Sequence, residues 1–149
     1  MAIFQPNILI QSHQGYPIAV VEVKNRQNLS PDVAAAFRRN MLVHGLLSKT
    51  PFFLLTSQDT GFLWKEAKEE NFDALPDYEF SMDKVVSRYI KQKPGERLYE
   101  PVLDLVVFQW LLDLTMDMQK PLEEPERTLT LAGFNESIKG AKIIAEEIQ

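Results

Sequence analysis

Glu22 and Lys24 stand two residues apart in the run Ile18-Ala19-Val20-Val21-Glu22-Val23-Lys24, which is otherwise apolar and rich in β-branched residues. Side chains alternate along a strand, so this carboxylate and this ammonium share one face, roughly 6–7 Å apart. Ile18 and Val20 make the rest of that face apolar. A charge in such surroundings is costly unless it is paired or bound to a metal ion. A polar partner is therefore expected across the sheet, and a divalent cation joining the two sides is one way to satisfy the pair. The plainer reading is an ion pair within one strand at a sheet end.

The neighbouring sequence predicts the elements that hold this pair. Ile8-Leu9-Ile10 and the run at 18–24 are separated by His13-Gln14-Gly15-Tyr16-Pro17, whose glycine and proline mark a reversal and so an antiparallel hairpin. The nearly continuous apolar character of the second run predicts a central strand covered on both faces. Ser30-Pro31-Asp32 is a helix start, with a capping hydroxyl, a proline where no donor is lost and an acid in the first turn. The helix should run to about Val43, with Val33, Phe37, Met41 and His44 at helical spacing and Gly45 as terminator. Phe52-Phe53-Leu54-Leu55 and Phe62-Leu63-Trp64, separated by Gln58-Asp59-Thr60-Gly61, predict two more strands. A strand, crossover helix and strand in one sheet are normally parallel, which places the strand at 18–24 beside that at 52–56.

Beyond residue 65 the pattern predicts mainly helix. One helix spans 81–91, capped by Ser81, with Val85, Val86, Tyr89 and Ile90 inward. A second spans 103–116 and is apolar on more than one face, as expected of a helix buried in the domain or at a subunit contact. A third spans about 135–148, with Ile138, Ala141, Ile144 or Ala145, and Ile148 on one side, and 120–126, with two prolines and four charges, reads as a linker. The fold class is thus α/β: a central mixed sheet of about four strands with a crossover helix over 1–65, then a helical extension over 66–149. Together they form one domain, whose helical half packs on the open side of the sheet and supplies a homodimer contact.

Composition narrows the chemistry. The 149 residues, 45% hydrophobic and 25% charged, suit a single globular domain. The absence of cysteine excludes thiolate zinc sites, disulfide scaffolds and cysteine nucleophiles. Residues 1–9 lack the pattern of a secretory signal, and the apolar stretch at 102–116 is broken by Asp104, Gln109 and Asp113. The expectation is a soluble, cytoplasmic protein with no membrane association. Net charge is −5, divided as +3 over 1–65 and −8 over 66–149. Phosphate contacts supply most non-specific affinity for nucleic acid, so any such function belongs to the N-terminal part. There Arg38 and Arg39 on the helix, and Gln27 just past the lysine, are candidate contacts to DNA phosphates, against the ordinary reading of a solvated helix face. His13 and His44 have no ligand spacing, and Gly15, Gly45 and Gly61 are isolated turn residues.

Pro6-Asn7, then Glu22-Val23-Lys24, the capped helix and the Phe52 strand resemble the PD-(D/E)xK nuclease superfamily. The run at 6–64 looks like the nuclease portion at the start of type I restriction-enzyme motor subunits and small stand-alone relatives. The resemblance implies a restriction-endonuclease-like core and a Mg²⁺-dependent DNA endonuclease, with Mn²⁺ as a substitute ion. Carried onto this chain, it makes residue 7, Glu22 and the Val23 carbonyl the metal ligands, and Glu22 and Lys24 the catalytic pair. Lys24 would steer the attacking water or neutralise the developing oxyanion. Asn7 departs from the pattern: a neutral carboxamide replaces an aspartate, a weaker ligand for a hard cation. Asparagine after proline is also ordinary turn chemistry. The alternative is a catalytically inactive nuclease-fold protein that binds nucleic acid or a protein partner.

Overall fold

The chain folds around the hairpin and crossover that its β-branched runs predict. The computed structural model describes residues 8–43, 50–65, 72–91, 93, 96–116 and 123–145. In chain order the elements are β1 (Ile8–Gln11), β2 (Pro17–Val23), α1 (Pro31–Val43), β3 (Phe52–Thr56), β4 (Thr60–Lys65), β5 (Tyr78–Ser81), α2 (Asp83–Tyr89), α3 (Glu100–Thr115), α4 (Glu126–Leu131), α5 (Phe134–Ile138) and β6 (Lys142–Ala145). The strands form one mixed sheet in the order β5-β4-β3-β2-β1-β6. Pairing of β2 with β3 is parallel, with Glu22 opposite Leu55 and Val23 opposite Thr56, and every other pairing is antiparallel. This is an α/β protein with a six-stranded mixed sheet and, among the described residues, five helices, four of them in the C-terminal half.

Period-two alternation sends the sheet residues to two cores. Val20, Phe53, Leu55, Phe62 and Trp64 pack with Ala34, Ala35 and Met41 of α1. Val21, Val23, Leu54 and Leu63 pack on the other face with Val85 and Val86 of α2, Leu103, Val107 and Trp110 of α3, Leu129 of α4 and Phe134 of α5. The helical half therefore covers the open side of the sheet, as expected. Ile18 packs with this larger core rather than on the Glu22 face, because the register with β1 shifts at the bulge between Ile10 and Gln11. Among the described residues no helix is long and apolar enough to cross a membrane.

Four further expectations need correction. The sheet has six strands rather than about four, because Tyr78–Ser81 and Lys142–Ala145 add an edge on each side. The helix expected over 135–148 stops at Ile138: Gly140 adopts φ 72°, and the chain then runs extended to pair Ile143 and Ile144 with Ile10 and Leu9. Ser81 ends β5 instead of capping α2 at Met82, although its Oγ accepts the Asp83 N–H at 3.2 Å. On α1 the inward face is Ala34, Ala35, Arg38 and Met41, while Val33 is exposed. The cap itself is as expected, with Ser30 Oγ accepting the Val33 N–H at 3.2 Å.

Gly61 is a close-approach position. A Cβ there would lie 2.2 Å from the Phe80 ring, and that ring is buried 6.5 Å from the ring of Trp110. Gly61→Ala should therefore cost about 1–3 kcal/mol in urea denaturation. Adding Phe80→Leu should recover part of that loss, and an unchanged midpoint for the single variant would mean the ring has room to withdraw.

Candidate active site

Glu22 lies one residue before the end of β2, 2% exposed. Lys24 follows the strand, and its Nζ is 3.6 Å from Glu22 Oε2. The same ammonium lies 5.2 Å from the centre of the Phe37 ring on α1, which fixes the face: the pair points to the α1 side. Thr56 of β3 holds this strand end. Its carbonyl accepts the Lys24 N–H at 2.8 Å, and its hydroxyl donates to the Glu22 carbonyl at 3.4 Å. The Val23 side chain is buried in the opposite core, which leaves only its backbone for the ligand role expected of it.

Directly after Lys24 the chain turns. The Arg26 N–H donates to the Lys24 carbonyl at 2.8 Å, and the Arg26 guanidinium lies 5.6 Å from the centre of the Phe37 ring. The Asn25 side-chain amide donates to the Leu98 carbonyl at 3.0 Å, and the Arg97 guanidinium donates to the Asn25 carbonyl. Buried Gln58 accepts the Leu98 N–H at 2.7 Å and donates to the Glu96 carbonyl. Residues 96–98 are thereby tied across the carboxyl ends of β2 and β3, where open α/β sheets commonly hold ligands.

The three candidate phosphate contacts fall in different environments. Arg38, read from sequence as a candidate phosphate contact or part of a solvated helix face, is 3% exposed, and its guanidinium lies 5.6 Å from the centre of the Trp64 ring. The helical phase that puts Ala34 and Met41 inward brings it along. Arg39 is exposed and 3.5 Å from Asp73, and Gln27 is exposed. Asn7, His44 and Gly45 lie outside the described residues. No group of three or more His, Cys, Asp or Glu that could hold a metal ion occurs among the described residues. Among the described residues the candidate donors are the Glu22 carboxylate and the Val23 carbonyl, and Mg²⁺ habitually takes one or two carboxylates and keeps several waters.

Sequence reasoning missed a second polar centre, in the helical layer. Glu126, read as part of a linker, is fully buried. It accepts both Arg88 guanidinium nitrogens, at 2.6 and 2.7 Å, and the Trp110 indole N–H at 2.8 Å. Burial pushes the Glu126 carboxyl up, but these hydrogen bonds outweigh it and hold the group below the usual carboxylate range. Arg88 is raised in turn, chiefly by its bond to Glu126. Beside it, Tyr89 donates to Asp113, and burial followed by that bond pushes its hydroxyl well above the ordinary range. The legible signal was Trp110: a tryptophan buried in an apolar helix usually finds an acceptor for its N–H. Comparison with protein-family models, curated proteins and solved structures finds no match for this chain.

Proposed function

We propose that the chain is a Mg²⁺-dependent DNA endonuclease of the PD-(D/E)xK type, its sheet being the restriction-endonuclease-like core that the resemblance implies. One observation carries the reading: a carboxylate 2% exposed, paired at 3.6 Å with a lysine, at the carboxyl end of a parallel strand. Buried ion pairs are weak sources of stability, so such a pair invites a functional account. In this account Glu22 and the Val23 carbonyl hold the ion, with residue 7 as the remaining ligand. When bound, the ion supplies Lewis-acid charge stabilisation and activates water. The Lys24 ammonium, 29% exposed while Glu22 is buried, faces the side from which substrate arrives, and it neutralises charge developing on the phosphate. Thr56 keeps Glu22 and Lys24 in register through its two backbone contacts.

Calorimetric titration with Mg²⁺ or Mn²⁺ should show saturable binding that Glu22→Ala abolishes. Asn7→Asp adds a charged ligand and should tighten binding on the order of tenfold, with faster cleavage of duplex DNA. The neutral carboxamide at residue 7, where the resemblance calls for an acid, favours a second reading, a nuclease fold that binds DNA without turnover. Under it, neither the natural chain nor Asn7→Asp binds the ion or cuts DNA, yet both retain duplex.

A further inference from the structure

We propose that Arg26 and Arg97, which flank the Asn25 turn, are the cations that hold the phosphodiester backbone at this site. The inference rests on the reading that the Glu22–Lys24 end of the sheet meets DNA, and it assigns the contact to residues that the sequence pattern did not single out. Arg26 is exposed. Its bond back to the Lys24 carbonyl keeps the two cations on one side of the turn, with both charges against one ring at 5.2 and 5.6 Å. The ring attracts each cation, but two like charges sharing it repel, and a phosphate oxygen between them relieves that repulsion by charge-assisted hydrogen bonds. Lys24 already has Glu22 as its counter-charge. Among the described residues, Arg26 has no carboxylate within ion-pair distance.

Arg97 is the second cation. It is exposed, and its bond to the Asn25 carbonyl fixes the guanidinium at the turn with further N–H groups to offer. Gln58 and Asn25 pin the segment that carries it. The pair thus reaches the carboxyl end of β2 from two parts of the chain, 72 residues apart in sequence at the Arg97–Asn25 contact. The candidates read from sequence are less suited: Arg38 is buried against Trp64, and Arg39 is partnered by Asp73.

Fluorescence anisotropy of a labelled DNA duplex, in EDTA so that neither metal nor cleavage contributes, tests this over a series of salt concentrations. Arg26→Gln and Arg97→Gln should each weaken binding on the order of tenfold at low salt and reduce the salt slope by about one. Lys84→Gln, on exposed α2 surface, should change neither. A native slope and affinity in both arginine variants, or no duplex binding by the natural chain at low salt, overturns the inference. Arginine-dependent binding by a chain that never cleaves with Mg²⁺ upholds this assignment while removing the catalytic reading. Cleavage by the natural chain, with unaltered binding in both variants, does the reverse.

Discussion

Arg88→Ala should destabilise the fold by about 3–5 kcal/mol, and by more than Glu126→Ala, although Arg88 is the more exposed partner. The asymmetry follows from what each substitution leaves behind. Without Arg88, a carboxylate with no solvent exposure keeps the Trp110 indole but loses its counter-charge. Without Glu126, the guanidinium, 33% exposed, can turn to water, and the main penalty is an orphaned indole donor, about 1–3 kcal/mol. At this chain length the Arg88 loss corresponds to a thermal midpoint lower by roughly 6–20 °C. Equal losses for the two variants would mean that the pair contributes through packing rather than charge.

Acidity should separate the two states of Glu126 further. In the natural chain its folded carboxyl is held below the unfolded range, so its stabilisation is present at neutral pH and is lost as pH falls through the lowered value. Removing Arg88 takes away the largest of the contributions that oppose burial, so the carboxyl should move upward. The variant is then penalised at neutral pH and relieved once Glu126 is protonated. The gap between the natural chain and Arg88→Ala should therefore be widest near pH 7 and narrow toward pH 4 in urea melts.

The part of the fold legible in sequence is the part fixed by local pattern. The hairpin, the Ser30 cap, α1 and the parallel placement of β2 beside β3 follow from β-branched runs, turn residues and the crossover rule. What escaped depends on partners distant in sequence. β5 has four residues, and Phe80 finds its place through a glycine on β4. β6 carries residues that also suit a helix, and it becomes a strand because Gly140 turns the chain onto the open edge of β1. At the site, Glu22 and Lys24 were legible because i, i+2 geometry is intrinsic to a strand. The burial of Arg38, the clamp from Gln58 to residues 96–98 and the position of Arg97 were not, since each is set by tertiary contact. Glu126 was hidden for the same reason: between prolines and other acids its sequence context is that of a surface.

Glu22→Gln should separate function from stability at the strand end. The carboxamide keeps the shape of the side chain and one acceptor oxygen, while Lys24, 29% exposed, can turn to water once its counter-charge is gone. The unfolding free energy from urea melts should therefore fall by no more than about 1–2 kcal/mol. Function should respond far more strongly. Ion binding loses its carboxylate, Lys24 loses the group that orients it, and Mg²⁺-dependent cleavage should fall by at least about 100-fold, the scale of removing one electrostatic partner from an active site. Duplex binding in EDTA should persist, because Arg26 and Arg97 are anchored by Phe37 and the Asn25 carbonyl rather than by Glu22. A chain that unfolds on this single change, or that cuts DNA as fast as before, would identify the Glu22–Lys24 pair as a structural tie between β2 and α1 and remove the reason to read this sheet end as a nuclease site.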